Sequence, residues 1–325
     1  MLTFIIGRVT QALAMVAVMS ALVFAAIFAI GNPVDVFLNE DMTQTEIEAV
    51  TKALGLDLPL WQQYLRFVSN IVHGDFGSSF VFGRSALSVV LERLPATLEL
   101  AFAATIIALL IGLPVGLCVG LRPGSRADRA VMSVTSFCFS VPTFWAGLLL
   151  VLIFSVELKW LPTNGRGETV DLFGIPVSFL TWNGLRHLFL PAFNLSLPLL
   201  ALIVRLTRAG TVENMGLDYI RFARAKGIAE WRIVFVHLLR NIAIPILTVT
   251  GLQLGSLIAF AVVTENVFGW PGIGKLIVDS IMQLDRPVIV AHLVMVVLLF
   301  SFINMLVDIA VALIDPRVRM SGKAK

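Results

Sequence analysis

Residues 100–121 read LAFAATIIALLIGLPVGLCVGL and contain no Asp, Glu, Lys or Arg over 22 residues. A helix needs about 17–25 such residues to cross the hydrocarbon core of a bilayer. Charged residues stand directly on either side of the run, Glu99 before it and Arg122 after it. This stretch therefore predicts a transmembrane helix with defined ends.

The same pattern recurs along the chain and predicts six spans in all. Because backbone polar groups in lipid must be satisfied within the structure, uninterrupted apolar runs indicate helices. The run 9–34 is longer than the apolar core of a secretory signal, so we expect it to be an uncleaved first span. A shorter run, 172–185, contains Gly and Pro and predicts a loop or interfacial segment. The other charge-free runs cover residues 130–156, 188–204, 241–264 and 287–307.

Composition supports a membrane protein and excludes several other classes. The chain has 325 residues, of which 58% are apolar and 14% charged, and its mean hydropathy is +0.92. Soluble domains carry about 25% charged residues, so an ordinary soluble enzyme and a disordered chain are both excluded. The net charge of +3, without a basic run, gives no support for nucleic-acid binding. Cys118 and Cys138 lie in apolar runs and are expected to be buried free thiols.

The distribution of Lys and Arg predicts the orientation of the spans, because cytoplasmic segments are enriched in both. One alternating set of segments holds 15 Lys and Arg in 70 residues, whereas the other holds 9 in 118. The richer set is therefore predicted to be cytoplasmic, with both chain termini inside. It consists of residues 1–8, 122–129, 205–240 and 308–325.

The predicted outer loop, 35–99, contains helical patterns of its own. Residues 43–46 have the spacing of a capping box, and Gly55 can end the helix that follows. A second apolar face follows at helical spacing, and Gly74 ends it. Two interpretations stay open for this amphipathic helix, packing on the spans and contact with a soluble partner. Its apolar face consists of Leu60, Trp61, Tyr64, Leu65, Val68, Ile71 and Val72.

The predicted cytoplasmic loop, 205–240, has the pattern of a compact knob. Residues 218–226 form a short basic helix, which Gly227 ends because glycine tolerates a left-handed turn. A second helical stretch, 229–239, leads into the fifth span. The residues alone leave two interpretations open, a solvated loop and a docking surface for a cytoplasmic protein.

Motifs for chemistry within the chain are weak. Residues 269–275 match the start of a phosphate-binding loop, but Leu276 stands where a hydroxyl must ligate magnesium. A tight turn or re-entrant hairpin is the better interpretation of that segment. The four histidines show no metal spacing, and no nucleophile or zinc-protease motif occurs. We therefore expect no catalytic residue and no metal site.

Polar residues within the spans are sparse. Buried polar groups in membranes either bond neighbouring helices or line a substrate path. Both interpretations stay open here. The carboxylates lie at span edges, which argues against a proton-driven carrier. The candidates for a substrate path are Asn194, Gln253, Ser256 and the edge residue Glu265.

Several blocks of the sequence, in their order and spacing, carry a resemblance to a known family. The strongest is DYIRFARAKG, residues 218–227. The other blocks are LDLPLWQQY at 56–64, GDFG at 74–77, LPATLEL at 94–100, VPTF at 141–144, LPA at 190–192, RLTR at 205–208, ENVF at 265–268, PGIG at 271–274 and DPR at 315–317. Taken together, these blocks resemble the dipeptide/oligopeptide (and nickel, glutathione) branch of bacterial ABC importer permeases. The chain is similar to the first permease type, which has the long outer first loop, and the resemblance covers nearly the whole chain.

The resemblance implies a fold and a docking site. The fold is an all-α polytopic membrane protein of the type I ABC importer permease kind, with six transmembrane helices and both termini cytoplasmic. Residues 1–325 form a single transmembrane permease domain. The loop 205–240 corresponds to the coupling loop that docks into an ATPase subunit. Carried over by matching positions, the coupling residues are Tyr219, Arg221, Phe222, Ala223, Ala225, Lys226 and Gly227.

The resemblance also implies a function and partners. The chain is expected to be a permease subunit of an ATP-driven, binding-protein-dependent importer in the bacterial cytoplasmic (inner) membrane. Its expected partners are a second homologous permease, two ATP-binding subunits and an extracytoplasmic substrate-binding protein. The chain itself is expected to be no enzyme and to hold no cofactor, since ATP and Mg belong to the ATPase subunits. Di-/oligopeptides are the default substrate; nickel, glutathione or another small solute is the alternative, and an ATP-independent carrier or channel is the alternative of another class.

Overall fold

The computed structural model describes residues 2–29, 45, 52 and 57–314. These residues are mostly helical. In chain order the helices are α1 (Leu2–Ala29), α2 (Leu60–Val72), α3 (Ala86–Gly120), α4 (Arg126–Ser140), α5 (Thr143–Leu150), α6 (Trp182–Met215), α7 (Asp218–Ala225), α8 (Glu230–Arg232), α9 (Leu239–Val267), α10 (Ile273–Met282) and α11 (Arg286–Ile314). Two π-helical turns, Val151–Glu157 and Ile233–Leu238, continue α5 and α8, and strand β1 (Val170–Leu172) precedes strand β2 (Ile175–Val177).

The helical polytopic architecture predicted from the sequence is confirmed, but the count of six spans is not. Among the described residues, four helices are long and apolar enough to cross a membrane, and the number is five if a bent pair counts as one span. In α1 the side chains that the structure describes include a shorter apolar stretch, Ala14–Ala25. The six-span count and the side on which the termini lie stay predictions. The four helices are Ala86–Gly120, Trp182–Met215, Glu230–Val267 and Arg286–Val307.

The bent pair corresponds to the run 130–156, which the sequence predicts as one continuous span. The structure divides it at Val141 and Pro142, where α4 and α5 meet at 107°. Val141 is extended, with ψ 127°, because the ring of a following proline disfavours the helical conformation. Pro142 then starts α5, where its missing N–H is tolerated. Counting charges alone does not detect this break.

The described chain forms two compact units. The first comprises Met1–Glu92 with Ile277–Ser301. In it α2 packs against α1 through Tyr64, whose hydroxyl lies 2.9 Å from Oγ of Ser20 and whose ring lies edge-on to Phe24 at 5.4 Å. The predicted amphipathic helix therefore forms as α2 and ends before Gly74, which has φ 74°. The capping box at 43–46, except Thr45, and the helix stop at Gly55 lie outside the described residues.

The second unit comprises Arg93–Leu276 with Phe302–Lys325. In it α6 packs against α4, α5 and α9. Glycines at every fourth position of α3 allow α6 to approach closely, as small residues do in membrane helix pairs. A Cβ on Gly116 would lie 2.6 Å from Cβ of Thr207, and one on Gly120 would lie 2.7 Å from Cβ of Thr211. Gly112 faces Ile203 in the same way.

Strands β1 and β2 form a hairpin in the segment that the sequence predicts as a loop. Phe173 and Gly174 both have positive φ, 54° and 83°, which fits the two-residue turn that matches the twist of the strands. The Asp171 carboxylate accepts the Gly174 N–H at 2.6 Å. The absence of a span at 172–185 is confirmed, since α6 begins only at Trp182.

The expectation for the cysteines was partly wrong. Both thiols are free, but Cys118 is exposed and Cys138 is half-buried. An apolar run in a membrane helix has a face that contacts lipid, so membership in the run does not imply burial within the protein.

Candidate functional site

The loop between α6 and α9 forms a knob, here defined as residues 214–238. Its first helix, α7, ends in a Schellman motif, in which two backbone N–H groups turn back to the last carbonyls. The Ile228 N–H donates to Ala223 O at 3.2 Å, and the Gly227 N–H donates to Arg224 O at 2.9 Å. Gly227 adopts φ 74° at the turn. The helix and the glycine stop predicted from the sequence are both confirmed.

A small apolar core holds the knob together. Ile220, Ala223 and Ile233 are buried against one another, and Ile228 packs on them. The Tyr219 hydroxyl donates to Oδ1 of Asn214 at 2.9 Å, which ties α7 to the end of α6. Because three elements share this core, the knob is a rigid attachment rather than a free loop.

An ion pair closes the glycine turn. Nε of Arg224 donates to Oε1 of Glu230 at 2.7 Å. The two groups lie outside the charge-free spans, and the Arg224 guanidinium lowers the pKa of the Glu230 carboxyl below its ordinary value. Both side chains are substantially exposed, 44% and 61%, so the pair contributes little stability of its own and mainly fixes the geometry of the turn.

The predicted coupling residues divide into two groups. Tyr219 is half-buried and Ala223 is buried, so both belong to the structure of the knob. Phe222 is 62% exposed, and Nζ of Lys226 lies 4.6 Å from its ring centroid. Aromatic side chains are enriched at protein interfaces, and the Lys226 ammonium group is attracted to the face of this ring. The exposed group comprises Arg221, Phe222, Ala225, Lys226 and Gly227.

Sequence reasoning missed three residues that support this exposed face, Ile220, Glu230 and Ile233. Ile220 lies three residues before the predicted Ala223, which is the spacing of one helix face, so for Ile220 a signal was present. Ile233 and Glu230 lie beyond the glycine turn, and their contacts depend on the direction in which the chain leaves it. Nothing in the local pattern specifies that direction.

A cavity of about 310 Å³ lies in the second unit and includes two of the predicted path residues. Gln253 and Ser256 of α9 line it, together with Thr143 after the Val141–Pro142 break. The remaining wall is largely apolar and carries no charged side chain. In a largely apolar pocket of this kind, a few polar groups fix the orientation of a ligand. The other lining residues are Phe139, Leu195, Pro198, Leu199, Leu257, Phe260, Val263 and Thr264.

The other two predicted path residues do not line this cavity. Asn194 is fully buried, and its Nδ2 donates to Oγ1 of Thr264 at 3.1 Å. Within the described part of the chain its Oδ1 has no partner. Glu265 is also fully buried, and it accepts the hydroxyl of Thr97 at 2.6 Å and the N–H of Lys275 at 2.9 Å.

Glu99, the charge that precedes the run 100–121, fixes the loop after the bent pair. Its Oε2 forms an ion pair with Arg166 at 2.6 Å, while its Oε1 accepts the N–H groups of Ser178 and Phe179. The Arg166 guanidinium also lies 5.8 Å from the ring of Trp270. A buried carboxylate with several donors is satisfied, so Glu99 is structural in this arrangement.

These features define a class of protein. Long apolar helices, a broken helix beside a cavity and a rigid knob at a helix end are parts of a membrane transport component. Residues 112–320 match the family of the binding-protein-dependent transport system inner membrane component, and residues 1–101 match its N-terminal domain. The chain belongs to this family. It is an inner-membrane permease subunit, and the family has no catalytic role of its own, as the sequence indicated.

Several relatives cover almost the whole chain. It is 40% identical to the di/tripeptide transport system permease protein DppB of Pseudomonas aeruginosa, over 98% of this chain and 99% of that protein. It is 38% identical to the oligopeptide transport system permease protein AppB of Bacillus subtilis, over 89% and 90%. It is 36% identical to the glutathione transport system permease protein GsiC of Escherichia coli, over 98% and 99%. The resemblance stated above is confirmed.

A solved structure has the same fold. A chain of the MetNI methionine ABC transporter, in inward-facing conformations, superposes with a TM-score of 0.55 over 70% of this chain and 96% of that chain. The two are 18% identical, so this likeness concerns the fold alone. The fold is that of a type I ABC importer permease.

Proposed function

We propose that this chain is one half of the transmembrane path of an ATP-driven importer for di- or oligopeptides. Two of the relatives named above carry peptide transport in their names, and the second unit has an uncharged cavity with a few polar groups. In this proposal residues 1–325 act as a single permease domain. A second homologous permease supplies the other half of the path.

The observation that carries the proposal is the exposed face of the knob on its packed core. The knob belongs to the segments rich in Lys and Arg, which are expected in the cytoplasm. In the proposed transporter each ATPase subunit binds the knob of one permease, and the two ATPase subunits hold the ATP and Mg. Phe222, Lys226 and Arg221 would contact the ATPase, while Tyr219 and Ala223 hold their backbone in position.

Force at the knob would reach the cavity through α9. Ile233 belongs to the core of the knob and begins the π-helical turn that runs into α9. One turn further along, Leu238 and Ile242 pack against Leu117 of α3. Since packed elements move as rigid bodies, a shift of the knob displaces α9, which carries Gln253 and Ser256. ATP binding and hydrolysis would thereby open the path alternately to the two sides.

On the outer side an extracytoplasmic binding protein delivers the substrate. Glutathione is the alternative substrate, because GsiC carries that name. The test is reconstitution of the chain in liposomes with a second permease, two ATPase subunits and a binding protein. We expect ATP-dependent uptake of a labelled dipeptide that disappears when any component is left out. Uptake by this chain alone without ATP would show a secondary carrier instead.

A further inference from the structure

Arg205 of α6 lies at the edge of the uncharged cavity in the second unit. Its guanidinium carbon lies 5.6 Å from the ring centroid of Phe139, and Phe139 lines the cavity. Arg205 also follows the lining residue Pro198 by seven residues, which is about two helical turns and places both on one face of α6. The guanidinium therefore rests against a wall residue of a cavity whose own wall carries no charged side chain.

Two hydroxyl groups of α4 fix the guanidinium in this position. Nη2 of Arg205 donates to Oγ of Ser136 at 2.7 Å, and Nε lies 3.4 Å from Oγ1 of Thr135. Ser136 and Thr135 precede Phe139 by about one turn, so all three contacts come from one face of α4. A side chain that is already held in place loses less rotational freedom when a ligand binds. The arrangement thus prepares Arg205 for binding.

The charge of Arg205 is not neutralised by a neighbouring acid. Arg205 is exposed, and within the part of the chain that the structure describes it forms no ion pair, and its Nη1 has no acceptor. Arg208, one turn further along α6, differs in this respect, because its Nη2 donates to Oδ2 of the buried Asp128 at 2.7 Å. Of these two arginines, Arg208 has a structural carboxylate, whereas Arg205 has only neutral hydroxyls and a ring as neighbours. Its charge therefore stays available to a ligand.

A carboxylate is the ligand group that fits this arginine. An aromatic ring contacts the face of a guanidinium, whereas the N–H groups point outward from its edge. Two parallel N–H groups match the two oxygens of a carboxylate. Every peptide with a free C-terminus carries one carboxylate there, whatever its side chains. The apolar cavity, with Gln253 and Ser256 on its wall, would hold the remainder of a short peptide.

We propose that Arg205 binds the C-terminal carboxylate of a peptide in this cavity. Thr135, Ser136 and Phe139 are then positioning residues, which hold the guanidinium at the cavity edge. This inference rests on the proposed function, from which the peptide follows. Arg205 is the first residue of the predicted cytoplasmic loop 205–240, so the carboxylate is bound on the side where the peptide leaves. The competing ligand is the phosphate of an anionic lipid, because an arginine near the end of a span can extend to the membrane surface.

The test measures peptide binding to the complete transporter in phosphatidylcholine nanodiscs. The binding protein is left out, so that its own selectivity does not enter the result. The probes are a dipeptide and the same dipeptide with a C-terminal amide, titrated by saturation-transfer NMR, which detects weak binding. We expect the wild type to bind the free acid at least tenfold more tightly than the amide. Arg205→Gln should bind the two probes within twofold of each other, whereas loss of a merely structural contact would leave their ratio unchanged.

Arg129→Gln is the matched control, because it removes an exposed cation from α4 and should keep the wild-type preference. A wild type without this preference, or a preference that Arg205→Gln retains, overturns the assignment. Loss of bound phosphatidylglycerol from Arg205→Gln in native mass spectrometry, with the peptide preference intact, overturns it in favour of a lipid.

ATP-dependent uptake of the dipeptide by the wild type, with its binding protein present, is measured in parallel. If this uptake is absent, the proposed function fails and the role of Arg205 with it. If the wild type imports the dipeptide but Arg205→Gln discriminates between acid and amide as the wild type does, the role of Arg205 alone is overturned.

Discussion

The hydroxyl of Thr97 donates a hydrogen bond of 2.6 Å to Oε1 of Glu265 and accepts the N–H of Ile273 at 2.9 Å. One threonine on α3 thus connects the end of α9 to the first turn of α10. The Glu265 carboxyl group accepts the Lys275 N–H there, which satisfies one of the backbone donors that a helix N-terminus leaves without an intrahelical partner. The buried carboxyl group of Glu265 therefore holds the turn between the two helices, which contains Pro271 and Gly272.

This arrangement predicts that Gly272→Ala destabilises the protein. A Cβ at position 272 would lie 2.3 Å from Oε1 of Glu265, so the turn or the carboxylate must move. Overpacking of this kind costs about 1–3 kcal/mol. Thermal unfolding of the purified transporter measures it. Gly216→Ala is the control, because its nearest neighbour, Glu213 O, would be at 3.6 Å. Equal melting temperatures for the two variants would contradict the prediction.

The glycine stripe of α3 predicts a second stability difference. Gly116→Val places its Cβ 2.6 Å from Thr207 and 2.8 Å from the carbonyl of Val204, so α3 and α6 must separate. Cys118→Val introduces the same side chain on the same helix at an exposed position. We expect a lower yield of folded protein in detergent for Gly116→Val alone, measured by size-exclusion chromatography. Similar elution profiles for the two variants would mean that α3 and α6 are not in close contact at Gly116.

The knob predicts a separation between folding and docking. Ile220→Ala removes a fully buried side chain from the core, and such truncations cost about 2–5 kcal/mol. It should lower both stability and ATPase association. Phe222→Asp changes an exposed ring two residues away, so it should abolish association while the melting temperature stays constant. Co-purification of the ATPase subunit measures association. A Phe222→Asp variant that retains the ATPase would contradict the assignment.

The cavity beside α9 predicts a block of transport without loss of ATP hydrolysis. Ser256→Trp fills part of the cavity of about 310 Å³. Uptake of labelled dipeptide in proteoliposomes should fall at least tenfold, while basal ATP hydrolysis persists. Leu252→Trp adds the same ring on an exposed face of α9 and should leave uptake within twofold. Equal uptake by the two variants would show that the substrate takes another path.

Local patterns predicted a good part of the fold. The helix at 218–226 and its glycine stop appear as α7 and Gly227, because helix stops depend on near neighbours. The loop at 172–185 and the helix that ends before Gly74 were also predicted from patterns within a few neighbouring residues. The break at Val141–Pro142 is also local, but a count of charges does not register a proline.

Contacts between distant residues could not be predicted. Glu265 and Asn194 were candidates for a substrate path because polar residues are rare in apolar spans. Their partners, Thr97 and Thr264, are 168 and 70 residues away in the sequence. Spacing along one chain does not show which helices become neighbours. The role of Glu265 and Asn194 in a substrate path therefore stays a prediction. The other two candidates, Gln253 and Ser256, line the cavity.

The central claim is that the exposed face of the knob meets an ATPase inside the cell. The most direct measurement is cysteine labelling and cross-linking at position 222, in a background without Cys118 and Cys138. We predict that Phe222→Cys in intact cells resists a membrane-impermeant thiol reagent and forms a disulfide with a cysteine engineered on the ATPase subunit. Phe173→Cys, at the fully exposed tip of the hairpin, should react with the reagent from outside. Labelling of position 222 in intact cells, or a functional transporter with no ATPase adduct there, would contradict the account.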